Sequence, residues 1–190
     1  MKKNRVARWD MLVNQCINAL YTIVFFFPVI IFWINHSNRI DNALMWILIV
    51  SLCVYFIPYR CFSHLQLSKK KSFYRKLYIH KFQDFTQQGR YVRLIIQKLS
   101  GTASCQDQKK HLQQLKSQIR AFEVFHVSAF IFFTGTCVVS LSQHTYTLAC
   151  IIFISNLIYN GIPILIQQYN KLRLSQITRL YRDQSIHPLI

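Results

Sequence analysis

The chain has 190 residues, 52% of them hydrophobic, and it carries 23 lysines and arginines against six acidic residues. A formal net charge of +17 on a soluble domain would favour nucleic acid as a partner, but here the apolar residues form long blocks and the cations lie between them. This segregation excludes an ordinary soluble domain and a nucleic-acid-binding protein. It predicts a membrane protein that faces anionic lipid.

Four apolar stretches approach the roughly 20 residues that a transmembrane helix needs, and the second is the shortest. The chain is therefore predicted to be an all-α membrane protein, a single integral domain with about four transmembrane helices. The predicted spans are residues 17–34, 43–59, 122–141 and 146–166.

The first stretch begins with cations, but no small-residue cleavage site follows it in "FWINHSNRI". It is therefore predicted to be a retained anchor rather than a removed signal peptide. The next segment contains His36 and Asp41 in the H-x-x-x-x-D spacing of glycerolipid acyltransferases. This spacing falls in a short loop predicted to face outward, away from cytoplasmic acyl donors, so we expect it to arise by chance.

The distribution of cations predicts the topology. Fourteen lie between Arg60 and Arg120, four precede the first span and four follow the last, whereas only Arg39 separates the first two spans. Cytoplasmic loops of membrane proteins are enriched in lysine and arginine. Both termini and the loop of residues 60–121 are therefore predicted to be cytoplasmic, in a multi-pass protein of the cell membrane.

That loop contains two helical patterns. In "SFYRKLYIHKF" the apolar residues Phe73, Leu77 and Phe82 lie near one helical face, as in an amphipathic helix at the membrane interface. In residues 109–122 apolar side chains recur at spacings of three and four, which predicts a helix that runs directly into the third span. The intervening "LSGTASCQDQ" is predicted to be a turn.

The only glutamate of the chain, Glu123, lies three positions before His126 at the start of the third span. Residues at this spacing share a helical face, and a carboxylate beside an imidazole suits general-base deprotonation of an alcohol. Alternatively, Glu123 neutralises Arg120 or a loop lysine while His126 bonds a neighbouring helix. A di-metal helix-bundle site is disfavoured because a chain with one glutamate cannot supply a second E-x-x-H.

The stretch "NGIPILIQQYNKLRL" passes from apolar residues into amides, a tyrosine and two cations. An asparagine and a proline near the end of a membrane span leave polar groups available for a partner. The alternative is structural: Gly161 and Pro163 as a kink or close-packing site, Tyr169 as an interface anchor, and Lys171 and Arg173 as charges that retain the helix end in the cytoplasm.

Three blocks in the same order resemble the glycosyl-4,4'-diaponeurosporenoate acyltransferases, which act in staphyloxanthin-type carotenoid biosynthesis. They are "SFYRKLYIHKFQDF", "RAFEVFH" and "NGIPILIQQYNKLRLSQI", and together they extend from Ser72 to Ile177. The chain departs from the pattern at "FTQQG", where members have a Pro-Asp-Gly-like turn. It also departs at four single positions: His80, Phe82, Gln168 and Lys171.

The resemblance implies transfer of a fatty acyl group to a hydroxyl of a lipidic glycoside, the sugar of a glycosylated carotenoid acid. It implies an acyl thioester such as acyl-CoA as co-substrate, membrane lipids as surroundings, and no bound cofactor or metal. His126 and Glu123 are the expected catalytic residues. The expected substrate-binding residues are Asn160, Gln167, Tyr169, Asn170, Arg173, Tyr74 and Arg75. The competing hypothesis is a non-catalytic lipid-binding or assembly subunit of a membrane complex.

Overall fold

The computed structural model describes residues 2–36, 42–82 and 108–186, and within these ranges the regular structure is helical, with no strand. Two 3₁₀ turns, Val54–Phe56 and Tyr59–Ser63, follow the second helix, and a π turn, Leu157–Gly161, joins the last two. The helices are α1 (Lys2–His36), α2 (Ala43–Cys53), α3 (Lys71–Lys76), α4 (Ile79–Phe82), α5 (Gln108–Ser142), α6 (Tyr146–Asn156) and α7 (Ile162–Ile186).

Three helical segments in the described ranges are long and apolar enough to cross a membrane: Met11–His36, Gln114–Ser142 and Tyr146–Arg179. The segment Ala43–Phe56 is apolar but shorter. At about 1.5 Å per residue it extends ~21 Å, whereas the hydrocarbon core of a bilayer is about 30 Å thick. The described helices thus provide three spans of sufficient length rather than about four, and the shortfall lies in the second predicted span.

The direction of each helix follows from its contacts. Helices α1 and α5 run parallel, and both α2 and the continuous α6–α7 helix run antiparallel to them. The N-terminal ends of α1 and α5, the C-terminal end of α7 and the α3–α4 segment therefore lie at one end of the bundle. The pairs that define this order are Trp33 with Thr136, Thr22 with Tyr159, Ser51 with Ser128, and Cys137 with Ala149.

The hydrophobic core lies toward the opposite end of the bundle. Its buried members are Val29, Phe32 and Trp33 of α1, Phe133 of α5 and Ile152 of α6. Outside this core many large apolar side chains of α1, α2 and α6 are exposed, and Phe56 is 86% exposed. Soluble monomers rarely expose contiguous apolar patches of this kind, so the outer surface is suited to lipid.

Helix α5 confirms the prediction that a helix from Lys109 continues into the third span without a break. The turn predicted in "LSGTASCQDQ" lies almost wholly outside the described residues.

The predicted interfacial helix is divided in two. Tyr78, between α3 and α4, has a φ of 55°, a conformation uncommon for residues other than glycine, and it ends the first helix. Tyr74 and Ile79 are buried against Ile166 of α7, so the segment packs on protein along one side. The predicted apolar face of Phe73, Leu77 and Phe82 is exposed, and its contact with lipid headgroups stays a prediction.

Candidate functional site

The π turn between α6 and α7 places two asparagines inside the bundle. Asn156 ends α6 and Asn160 lies within the turn, and both are buried. Pro163, just beyond, has no N–H to bond the carbonyl four residues earlier, which favours a widened turn at this point. A polar group at this depth needs an internal partner, because the bilayer core offers none.

These asparagines and His126 form a hydrogen-bonded chain, called here the amide chain. His126 Nδ1 lies 3.3 Å from Asn160 Oδ1, and Asn160 Nδ2 donates to Asn156 Oδ1 at 2.9 Å. Asn156 Nδ2 in turn donates to the Phe130 carbonyl and to Thr134 Oγ1, both at 3.1 Å. The amide chain therefore links α5 to the α6–α7 helix through neutral groups.

The far end of the amide chain determines the tautomer of His126. A backbone carbonyl can only accept, so Asn156 presents its NH₂ to Phe130 and its oxygen to Asn160. Asn160 then presents its own oxygen to His126 Nδ1, which must carry the hydrogen. The lone pair is left on Nε2, for which the described residues provide no hydrogen-bond partner. A neutral imidazole held in this way can accept a proton through Nε2.

Glu123 lies one turn before His126 and is only 1% exposed. Its Oε1 accepts from Lys171 Nζ at 2.7 Å, and its Oε2 accepts from the Tyr59 hydroxyl at 2.9 Å. These bonds connect α5 to α7 and to the second 3₁₀ turn after α2, Tyr59–Ser63. They surround the carboxylate with one full charge and one donor, as a buried anion requires.

Tyr59 is the centre of this charged cluster, which consists of Tyr59, Glu123, Lys171 and Arg120. The Arg120 guanidinium and the Lys171 ammonium lie 4.9 Å and 5.1 Å from the centre of the Tyr59 ring. Burial, reinforced by the negative charge of Glu123, raises the pKa of the Tyr59 phenol well above its usual value of 10.0. The phenol therefore remains protonated and continues to donate to Glu123.

The predicted carboxylate–imidazole pair is not what the structure shows. Glu123 bonds Lys171 and Tyr59, and the partner of His126 is Asn160. A shared helical face brings the two side chains near one another, but a lysine attracts the carboxylate more strongly than a neutral ring does. The alternative in which Glu123 neutralises a cation and His126 bonds a neighbouring helix describes this geometry, with Lys171 in place of Arg120 or a loop lysine.

A third buried polar group fastens the α3–α4 segment to α7. Gln168, 1% exposed, accepts from the Leu67 N–H at 3.2 Å and from the Tyr74 hydroxyl at 3.0 Å, and donates to the Leu65 carbonyl at 2.8 Å. The single hydrogen of the Tyr74 hydroxyl is shared between Gln168 and the Ser68 carbonyl, which lies equally close at 3.0 Å. Every polar atom of the Gln168 side chain is thus bonded within the protein.

A family model for glycosyl-4,4'-diaponeurosporenoate acyltransferase matches residues 58–180, which is more than half of the chain. The chain belongs to this family. No curated protein and no solved structure matches it. The matched region contains all three blocks that carry the resemblance, which is thereby confirmed. It also contains the charged cluster, His126, both asparagines and Gln168. The family name implies an acyltransferase of carotenoid biosynthesis.

Two positions at which the chain is expected to depart from the pattern of the acyltransferase family make buried polar contacts here. Lys171 neutralises Glu123, and Gln168 fastens the α3–α4 segment. Neither residue was among the predicted site residues. Their signal in the sequence was a polar residue inside an apolar helix end, where each needs an internal partner.

The structure separates the predicted substrate-binding residues of this acyltransferase family member into buried and accessible groups. Asn160 and Tyr74 are completely buried and bonded within the protein. Arg173 is exposed, with its guanidinium 5.9 Å from the centre of the Tyr169 ring. The others remain accessible: Gln167, Tyr169 and Asn170 are half-buried on α7, and Arg75 is exposed on α3.

The H-x-x-x-x-D spacing shows no site geometry in its described half. His36 Nδ1 lies 3.0 Å from the Phe32 carbonyl one turn earlier, and its ring stacks on Phe32. Asp41 lies outside the described residues. No group of three or more histidine, cysteine or acidic side chains that could hold a metal ion occurs in the part of the chain that the structure describes.

Proposed function

We propose that the protein transfers a fatty acyl group from a thioester donor such as acyl-CoA to a hydroxyl of a lipidic glycoside, the sugar of a glycosylated carotenoid acid. Membership of the acyltransferase family supports the reaction class. The observation that carries the proposal is His126, whose Nδ1 is held by Asn160 at membrane depth while its Nε2 has no partner among the described residues.

In this mechanism His126 is the general base. Nε2 takes the proton of the attacking hydroxyl as its oxygen bonds to the thioester carbonyl carbon. The carbon–sulfur bond then breaks, and the thiolate leaves with the proton from the imidazolium. No bound cofactor or metal takes part, because the thioester itself supplies the activated acyl group.

Asn160 takes the orienting role that the sequence assigned to Glu123. A neutral amide oxygen fixes the ring and its tautomer without placing an ionised group beside it at membrane depth, where charge is costly. Glu123 is proposed to act as a positioning residue. Through Lys171 and Tyr59 it holds α5, α7 and the turn after α2 together, one turn from the base.

Three exposed arginines at this end of the bundle are proposed to receive the negative charge of the donor. Arg120, Arg173 and Arg75 are exposed on α5, α7 and α3. Arginine binds phosphate bidentately, which suits a phosphorylated thioester donor or anionic lipid headgroups. Gln167, Tyr169 and Asn170, half-buried on α7, are proposed to contact the acceptor sugar.

The cell membrane is the proposed location, with both termini and the loop of residues 60–121 in the cytoplasm. The helix directions support this topology, because the N-terminal ends of α1 and α5 and the C-terminal end of α7 lie at one end of the bundle. We expect a phosphatase reporter fused at His144 to be active and one fused at Gln108 to be silent. An active fusion at Gln108 would contradict the topology and the access of His126 to a cytoplasmic donor.

The decisive experiment compares His126→Gln with the parent in purified form, using acyl transfer from a thioester to a glycolipid. Loss of a general base typically lowers the rate by about 10²–10⁴-fold. His144→Gln, in the exposed turn at the other end of the bundle, is the matched control and is expected to retain the parent rate. A near-parent rate for His126→Gln would refute the proposed base, since glutamine can hydrogen-bond but cannot act as a base, whereas absence of transfer by the purified parent would favour the non-catalytic subunit.

A further inference from the structure

An apolar groove of about 480 Å³ separates α1 from α2 on the surface of α5. Its volume lies within the range of roughly 300–1,000 Å³ that small-molecule sites occupy. The α1 wall includes Phe26, Val29 and Trp33, and the α2 wall includes Leu44, Leu48 and Leu52. On α5 the groove is lined by Phe125, Ser128, Ala129 and Phe132.

Apart from the hydroxyl of Tyr55, the polar side-chain groups of the groove are bonded within the protein, and the Trp33 N–H donates to Thr136. Its only hydroxyls from serine belong to Ser51 and Ser128, and both donate to backbone carbonyls. Ser128 Oγ donates to the Ser51 carbonyl at 2.7 Å, and Ser51 Oγ donates to the Leu48 carbonyl at 2.8 Å. A sugar or headgroup would lose its hydrogen bonds here, whereas an alkyl chain would not.

One end of the groove adjoins the proposed base. Phe125 lines that end, and its ring lies edge-on to the His126 ring with centroids 5.1 Å apart. Tyr55, in the 3₁₀ turn after α2, lies four residues before Tyr59 of the charged cluster. The Phe125 end of the groove therefore lies beside the proposed base.

The dimensions suit a flexible chain lying along the helices. On α1 the groove reaches from Phe26 to Ile34 and on α2 from Leu44 to Leu52, each about 12 Å at 1.5 Å per residue. A saturated chain can bend to fill such a groove. A rigid conjugated polyene that spans much of the roughly 30 Å hydrocarbon core would extend beyond it.

We propose that this groove binds the acyl chain of the thioester donor and sets the chain length that the protein accepts. The thioester lies at the Phe125 end, within reach of the site, and the methyl end lies toward Ile34 and Leu44. This inference rests on the proposed function for the donor's identity. It adds a binding site and a basis for specificity that involve α1 and α2, which carry none of the proposed catalytic residues.

The first test is the variant Ala129→Phe, which places a ring one helical turn beyond Phe125. The measured quantity is the ratio of kcat/KM for palmitoyl-CoA to that for octanoyl-CoA. We expect this ratio to fall about tenfold or more, because adding or removing even one methylene in an apolar pocket changes discrimination by about 10–200-fold. Val138→Phe, on the same helix but exposed outside the groove, is the matched control and should leave the ratio unchanged.

An unchanged ratio in Ala129→Phe would overturn the proposal. A raised KM for the glycolipid acceptor with an unchanged ratio would also overturn it, by assigning the groove to the acceptor.

The second test does not depend on turnover. Palmitoyl-CoA with a photoreactive group in mid-chain should label groove peptides of α2 and α5 in vesicle-embedded parent protein and in His126→Gln alike. The labelling should be lost in Ala129→Phe and retained in Val138→Phe. Labelling elsewhere, or equal labelling by a photoreactive phospholipid, would overturn the assignment to the donor. Labelling of the groove combined with full turnover by His126→Gln would instead refute the proposed base and leave the chain site standing.

Discussion

The charged cluster and the amide chain lie one helical turn apart on α5, but their buried polar atoms are hydrogen-bonded in different ways. In the charged cluster both oxygens of Glu123 are bonded, one to a full positive charge. In the amide chain every member is neutral, and its last ring nitrogen has no partner among the described residues. The comparison indicates that the saturated cluster stabilises the bundle, whereas the neutral chain keeps an accepting atom available.

The positions of the two groups follow from the cost of charge. Glu123 and Lys171 lie near the end of the bundle that carries the cations, where the Lys171 side chain is still 19% exposed. His126 and the asparagines lie deeper, where an ion pair must overcome a desolvation penalty of several kcal/mol per ion. A neutral orienting partner avoids this penalty.

The largest effect on stability is expected when the charged cluster is broken from one side. Lys171→Met leaves Glu123 buried without a cation, and removal of one partner from a buried pair typically costs about 3–5 kcal/mol. The measurement is the free energy of unfolding in detergent micelles. The double variant Glu123→Gln with Lys171→Met should recover most of this loss, because a neutral amide can still accept from Tyr59.

A cost of less than about 1 kcal/mol for Lys171→Met, as for exposed pairs, would mean that the cluster does not hold the helices together.

The second prediction compares the amide chain and the charged cluster by the loss of acyl transfer when each is altered. Asn160→Leu removes the acceptor for His126 Nδ1, and we expect a loss of about 10–100-fold, as for the partners that orient metal-bound histidines. Glu123→Gln should lose less, since its carboxylate does not bond His126. The measurement is acyl transfer at equal amounts of folded protein, and Asn160→Asp, which keeps an acceptor, should retain more activity than Asn160→Leu.

The relative transfer activities of Asn160→Leu and Glu123→Gln show which residue orients the base. If Glu123→Gln loses more transfer activity than Asn160→Leu, then the carboxylate orients the base during the reaction.

The third prediction concerns Gln168, a neutral side chain whose polar atoms are all hydrogen-bonded. We expect it, like the charged cluster, to stabilise the fold. Gln168→Leu leaves an N–H, a carbonyl and the Tyr74 hydroxyl with one partner fewer, at a cost of about 1–3 kcal/mol. The α3–α4 segment should then be cleaved faster by trypsin at its lysines. Gln167→Leu, one residue earlier and half-buried, is the matched control. Equal cleavage in the two variants would contradict this role.

The smallest expected effect is the difference in the free energy of unfolding between alanine substitutions at two glycines. A Cβ added at Gly135 would lie 2.9 Å from Cγ2 of Ile47 on α2, whereas one at Gly161 would meet nothing closer than 3.9 Å. Gly135→Ala should lower the free energy of unfolding by about 1 kcal/mol through overpacking. Gly161→Ala should leave it unchanged or raise it by roughly 0.5–1 kcal/mol, the helical advantage of alanine over glycine. Equal shifts in the two variants would show that the α2–α5 contact adjusts freely.

The sequence predicted those features that depend on local pattern and composition. Long apolar blocks identified the bundle, and the spacing of Leu112, Leu115 and Ile119 predicted that α5 begins well before its membrane span. It could not predict the break at Tyr78, because a left-handed tyrosine has no sequence signal and is imposed by packing of the segment on α7.

Three residues of the candidate site were identified in the sequence, but their hydrogen-bond partners were not. Glu123, His126 and Asn160 were all identified, yet proximity in sequence favoured a bond between the first two. The actual partners, Lys171 and Asn160, come from the far side of the bundle and depend on the rotation of α7. Glu123 was matched to its nearest neighbour because a sequence alone does not fix the rotation of one helix against another.

Because of the π turn, the number of residues in this part of the chain determines the direction in which the later side chains point. Each residue of an α-helix advances its face by about 100°, so a widened turn acts as a one-residue insertion that changes the phase of everything after it. Asn160 lies within the turn, and Gln168 and Lys171 follow it. Deleting one residue between the turn and Gln168 would rotate both later side chains away from Tyr74 and Glu123 together, so this segment should tolerate substitutions far better than changes in length.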